Sequence, residues 1–114
     1  MKIATALSVG DYLDRLSILK IKKEKGLDVE NELTNYHQRL IDLNDGYDYY
    51  LNIIKTINLQ LWDLEDVKRK DVERYSKKES DTAFLITQLN DLRHETKKRI
   101  DIYFGSDFTE KKSH

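Results

Sequence analysis

Cysteine and proline are both missing from this chain, and glycine occurs only four times in 114 residues. The lack of cysteine excludes disulfides, thiolate metal sites and cysteine nucleophiles, and it fits a reducing compartment. The lack of proline and the scarcity of glycine leave little to interrupt a helix. Long apolar runs are missing too. None approaches the roughly 20 residues that span a bilayer. The opening residues, Met1 to Ser8, have one cation and too short an apolar stretch for a secretory signal. Nor does one sign of charge dominate. Charged residues are 36% of the chain, yet 20 basic residues face 21 acidic ones and the net charge is -1. That balance argues against a dedicated binder of nucleic-acid polymers, which neutralises phosphates with a basic face. The mixed signs also argue against a basic membrane-surface helix. The expectation is one soluble, cytoplasmic domain with no membrane partner.

What is present is helical periodicity. Ser8 reads as an N-cap with Asp11 in the first turn, and Val9, Tyr12, Leu13, Leu16 and Leu19 recur at helical spacing. Lys22, Lys23 and Lys25 enrich the last turn and Gly26 supplies the stop, so the first helix spans about residues 9–25 within the segment 8–26. Asp28 is a candidate cap for a second helix over 28–44. Its seam Val29, Leu33, Tyr36, Leu40 and Leu43 steps by alternating fours and threes. Asn44-Asp45-Gly46 is a strong turn signal, and a short loop favours an antiparallel return.

The third helix is expected at 47–75, with Tyr50, Ile54, Ile57, Leu61 and Leu64 as its seam. From Glu65 to Glu79 only Val67, Val72 and Tyr75 are apolar, which reads as an exposed helical extension or a loose connection. Ser80 or Asp81 is the candidate cap of a fourth helix ending at 104, with Leu85, Leu89, Leu92, Ile100 and Tyr103 as its seam. Gly105 ends it, and 105–114 form a polar tail anchored by Phe108. The expected fold class is all-α, an antiparallel bundle of about four helices with long third and fourth helices. Narrow seams on long helices leave surface for a second subunit, so a homo-oligomer is expected.

Three segments carry most of the pattern. The first runs Ser8-Val9-Gly10-Asp11-Tyr12-Leu13-Asp14-Arg15-Leu16 and on to Lys22. The second is Leu61-Trp62-Asp63-Leu64-Glu65-Asp66-Val67-Lys68-Arg69. The third begins Asn90-Asp91-Leu92-Arg93, includes Lys97, and continues through Gly105-Ser106 to Glu110-Lys111-Lys112-Ser113-His114. In this order they resemble a small bacterial and phage family of unknown function. Its opening runs SVGEL, DK, IL-E-IK, its middle LW and ED with an R, and its end ND, R, K, IN, GS and KSY. The resemblance covers nearly the whole chain. Three departures stand out: Lys20 where the family usually has Glu, Asp101 for the usual Asn, and His114 for the usual Tyr. The resemblance implies a helical fold and brings no established activity.

It also marks polar residues that fall on motif positions. Asn90, Arg93 and Lys97 lie at i, i+3 and i+7 and form one stripe on a helix, beside the expected leucine seam. Arg15 and Lys22 share a face of the first helix, and Glu65 and Asp66 each lie one turn before Arg69. One reading makes Arg15, Lys22, Arg69, Asn90, Arg93 and Lys97 a pocket for a phosphate or carboxylate, with Asp14 or Glu65 on sugar hydroxyls and Trp62 stacking on a base. The other reading places Asp14, Glu65, Asp66, Glu110 and Lys112 in an ion-pair network with those cations that fixes helix register, the acids neutralising them. Charged helical faces are mostly structural, which favours the network. Tyr47, Tyr49 and Tyr50 read as a helix-start cluster covering one end of the bundle, although tyrosine also suits interfaces.

Enzyme signatures are weak. Glu65 and Asp66 are adjacent, about 100° apart around a helix, and do not serve one metal from one face. Glu73 and Glu79 complete no metal motif, and His37, His94 and His114 are isolated. There is no glycine-rich phosphate loop and no nucleophile elbow. No catalytic residue, metal ligand or cofactor is assigned. The expected function is a non-enzymatic helical binding module for an anionic small molecule, a nucleotide or sugar phosphate. The alternatives are a protein–protein adaptor whose charges form only an internal network, and a small bundle enzyme.

Overall fold

The first helix starts where the capping signal places it. In the computed structural model, which describes residues 7–39, 46–70 and 73–105, the Ser8 hydroxyl accepts a hydrogen bond from the Asp11 amide at 3.1 Å. Helix α1 spans Val9–Glu24, α2 Glu30–Arg39, α3 Tyr47–Lys70 and α4 Lys77–Phe104. There is no strand among the described residues. Gly26 follows α1 at φ +89°, and the Leu27 amide closes the helix end by donating to the Lys22 carbonyl at 2.9 Å. Leu40, Leu43, Asn44 and Asp45 lie outside the described residues, as do Val72, Phe108, Glu110, Lys112 and the rest of the tail from Ser106.

The element order gives an up-down-up-down arrangement. Residues Leu51 and Ile54 of α3 pack with Ile100 and Phe104 of α4, while Ile57 and Leu61 pack with Ile86. The two long helices are therefore antiparallel. Gly10 touches α4 at Lys97 and Asp101, and Asp14, one turn on, reaches back to Arg93, so α1 is antiparallel to α4 as well. Val9, Tyr12, Leu13, Leu16, Ile54 and Ile100 are essentially inaccessible. Each such side chain contributes about 1.5–3 kcal/mol by leaving water. Short α2 lies on α1 through Val29 and Leu33, and the Tyr36 ring stacks on Tyr12 at 5.0 Å. Tyr12 also donates its hydroxyl proton to the Tyr36 carbonyl.

Two expectations for α4 require correction. Its cap is Ser76, not Ser80 or Asp81. The Ser76 hydroxyl accepts from the Glu79 amide at 3.1 Å, and the Glu79 carboxylate accepts from the Tyr75 amide at 3.1 Å. This is a capping-box exchange displaced by one residue, and Tyr75 turns through φ +64° to enter it. The third helix, which spans Tyr47–Lys70 among the described residues, does not reach 75, because 73–75 are not helical. The buried face of α4 is Thr82, Ile86, Thr96, Ile100 and Phe104. Leu85 and Leu92 are 46% and 50% exposed, and Tyr103 is 53% exposed. Of the expected seam, Ile100 is fully buried and Leu89 packs at the edge of the core, whereas Leu85, Leu92 and Tyr103 turn outward, and the polar stripe Asn90, Arg93 and Lys97 is half-buried.

Close approach of α1 to α4 depends on Gly10. A Cβ there would stand 2.5 Å from the Lys97 carbonyl oxygen, a backbone atom that cannot swing aside, and 2.9 Å from an Asp101 carboxylate oxygen. The Gly10 amide donates to that same carboxylate at 2.6 Å, where the helix dipole also favours an anion. Gly10→Ala is expected to lose about 1–3 kcal/mol through overpacking, outweighing the ~1 kcal/mol of better helix propensity. Urea unfolding measures it; an unchanged or higher midpoint would contradict the contact.

Candidate functional site

Asp14 is a carboxylate at 3% exposure in the middle of three helices. Removing a charge from water costs several kcal/mol unless partners replace the solvent. Here Arg93 supplies a two-pronged clamp, donating from Nε to Oδ1 at 3.0 Å and from Nη2 to Oδ2 at 2.9 Å. Asn58 Nδ2 donates to Oδ1 at 2.8 Å, and Lys97 Nζ stands 3.8 Å from Oδ2. One acid of α1 thereby ties α3 and α4 together. Ser17 completes the cluster. Its hydroxyl donates to the Asp14 carbonyl at 2.6 Å and accepts from Asn58 Nδ2 at 2.8 Å. Among the described residues no buried side-chain polar atom is left without a partner.

Lys97 makes its closer pair with Asp11, at 2.7 Å. Partial burial works to raise the Asp11 pKa, but the Lys97 hydrogen bond and charge, helped by the Ser8 contacts, outweigh it and hold the carboxyl below its ordinary value of 3.8. Asp66 is also held low, chiefly by its hydrogen bond from Lys70 and further by Arg69. That group lies on an exposed helical surface, with Arg69 at 3.5 Å and Lys70 at 3.2 Å.

Beside the Asp14 cluster opens a cleft of about 300 Å³. Helix α1 contributes Ile18 and Ile21 to it. Asn58, Leu61, Trp62, Glu65 and Arg69 come from α3, and Asn90 and Arg93 from α4. Arg93 therefore has two edges in use. Its Nε and Nη2 grip Asp14, while Nη1 donates weakly to Asn90 Oδ1 at 3.4 Å on the cleft side. Arg15, Ile18 and Lys22 share one stripe of α1, and of the three only Ile18 lines the cleft. Arg15 is exposed and Lys22 half-buried.

The residues singled out in the sequence thus divide. Trp62, Glu65, Arg69, Asn90 and Arg93 meet in the cleft, whereas Arg15 and Lys22 are not part of its lining. Lys97 belongs to the α1–α4 interface with Asp11 and Asp14. Asp14 lies behind the cleft as the anchor of Arg93. Asp66 pairs along its own helix, and Glu110 and Lys112 lie outside the described residues. Sequence reasoning missed Asn58 and Ser17. The signal for Asn58 was an amide set among Ile54, Ile57 and Leu61 on the buried face of α3.

No family model, no curated protein and no solved structure matches the chain. Among the described residues no helix is long and apolar enough to cross a membrane, and no cluster of three or more acids or histidines is placed to hold a metal.

Because the folded-state pKa of Asp11 is depressed, its pairing stabilises the fold above the ordinary carboxylate value of 3.8 and is lost as pH falls through the lower folded-state value. Stability should therefore decline on acidification in this range, and Asp11→Asn should flatten that part of the profile. Unfolding midpoints between pH 2 and 6 check it; an identical slope in the variant would contradict the assignment.

Proposed function

We propose that the protein is a non-enzymatic binding module whose cleft takes an anionic small molecule. The observation that carries this reading is the convergence of Trp62, Glu65, Arg69, Asn90 and Arg93, from two helices, on one cleft against Ile18 and Ile21 of a third. Small-ligand sites combine an apolar lining with a few placed polar groups, and this cleft has both. Asp14 neutralises Arg93 and fixes its rotamer, so the guanidinium is held in place before any ligand arrives. Arg69 is the other cation lining the cleft, and Arg15 and Lys22 lie on the α1 stripe that includes Ile18. Among the described residues Arg15 and Lys22 have no ion-pair partner, and Arg69 has only its 3.5 Å contact with Asp66. All three segments of the family-like pattern contribute to the cleft or to its support. A cytoplasmic setting belongs to the same reading.

A second reading rests on a different surface. Leu64, Leu85, Leu89 and Leu92, with Gln60 and Gln88, line a groove between α3 and α4, and Phe84 nearby is 62% exposed. Uncovered leucines of this kind suit an adaptor or a homo-oligomer. The two readings separate by mutation: Leu85→Glu with Leu92→Glu removes association and leaves ligand binding intact.

Thermal shift against phosphate, sugar phosphates and nucleotides tests the first reading. At least one anion should raise the melting temperature. Arg69→Ala combined with Lys22→Ala should weaken that ligand about tenfold or more, equivalent to ~1.4 kcal/mol, with the ligand-free midpoint unchanged. Stabilisation by no anion would overturn the proposal.

A further inference from the structure

We infer that the cleft is shaped for a nucleoside monophosphate, with its base laid against Trp62 and its phosphate at the Arg69 rim; this rests on the anion-binding reading above. The lining decides the class. Ile18, Ile21, Leu61 and Trp62 form a surface that offers little hydrogen bonding. A bare sugar phosphate turns hydroxyls toward every wall, and a hydroxyl pressed on hydrocarbon without a partner is penalised. A nucleobase presents a flat π-face instead, which an indole stacks against whatever the base.

The polar groups are confined and complementary. Asn90 Oδ1 accepts from Arg93 at 3.4 Å, so the side-chain NH2 remains as a donor at the cleft wall. Glu65 supplies an acceptor from the facing helix. Together they match a base edge or the ribose hydroxyls. Glu65 lies one helical turn from Arg69 and disfavours further phosphates reaching inward. Arg93 is already neutralised by Asp14, which leaves Arg69, the other cation lining the cleft, to match the charge of a single phosphate group. The volume, about 300 Å³, is at the low end for small-ligand sites and suits one mononucleotide rather than a dinucleotide.

Trp62 is the chain's sole tryptophan, so its fluorescence reports on this site alone. Titration with AMP, GMP, CMP, UMP, ribose 5-phosphate and inorganic phosphate should show at least one nucleoside monophosphate quenching the emission. That compound should bind at least about tenfold tighter than ribose 5-phosphate, since tenfold is the ~1.4 kcal/mol expected of one added contact. By calorimetry, Trp62→Leu should lose that preference and Trp62→Phe should retain most of it, with helix content checked by circular dichroism. Equal binding of ribose 5-phosphate and the nucleotides overturns the inference and leaves the anion site standing. Binding of none of the six overturns both. The titration of the unaltered protein decides the matter even if Trp62→Leu does not fold.

Discussion

The buried carboxylate of Asp14 is the constraint on which the arrangement depends. It lies on α1, yet its partners are Asn58 on α3 and Arg93 and Lys97 on α4. A charge at 3% exposure is tolerable only while those donors stay in place, so the three helices are held in one register relative to each other. The apolar core does not impose this alone. Helix α4 offers leucines and isoleucines at 85, 86, 89 and 92, enough to bury either of two adjacent stripes. The pairing with Asp14 selects the face that includes Ile86, Arg93, Lys97 and Ile100 and turns Leu85 and Leu92 outward.

The same constraint creates the cleft. With Arg93 drawn inward to Asp14, its remaining edge and Asn90 form a polar wall beside the apolar lining from Ile18, Ile21, Leu61 and Trp62. The ion-pair network and the proposed use of the cleft are therefore not exclusive alternatives in physical terms. The network uses two nitrogens of the Arg93 fork and leaves the third on the cleft side. A preorganised guanidinium loses less entropy on meeting a ligand than a free one does. The rotated leucines have a separate consequence, an uncovered apolar groove between α3 and α4.

Much of this was legible in the sequence, and the reasons differ by element. The four helices and their order follow from apolar spacing, from the Ser8 cap and from Gly26 and Gly105. The face of α3 follows from Ile54, Ile57 and Leu61, which are buried as their spacing requires. The face of α4 was not legible from apolar spacing, because periodicity weighs leucine as inward and arginine as outward. A buried acid on another helix reverses that preference, and its position is tertiary information. The start of α4 was legible but missed, since Ser76-Lys77-Lys78-Glu79 carries the capping-box spacing. The cleft residues were visible as a set of polar positions. Their division between the cleft, the α1–α4 interface and an exposed helix surface needed the packed structure.

The central claim is that Asp14 and Arg93 act as one unit. A double-mutant cycle with Asp14→Leu and Arg93→Met measures it in urea. Each single change removes the two-pronged Asp14–Arg93 pairing while leaving one of its charges buried or half-buried, and should cost about 3 kcal/mol or more. The double change replaces the pair with apolar side chains and should cost far less than the sum, a coupling of about 2–3 kcal/mol. Strictly additive losses would contradict the account, because they would mean that the buried carboxylate and the Arg93 fork do not depend on each other.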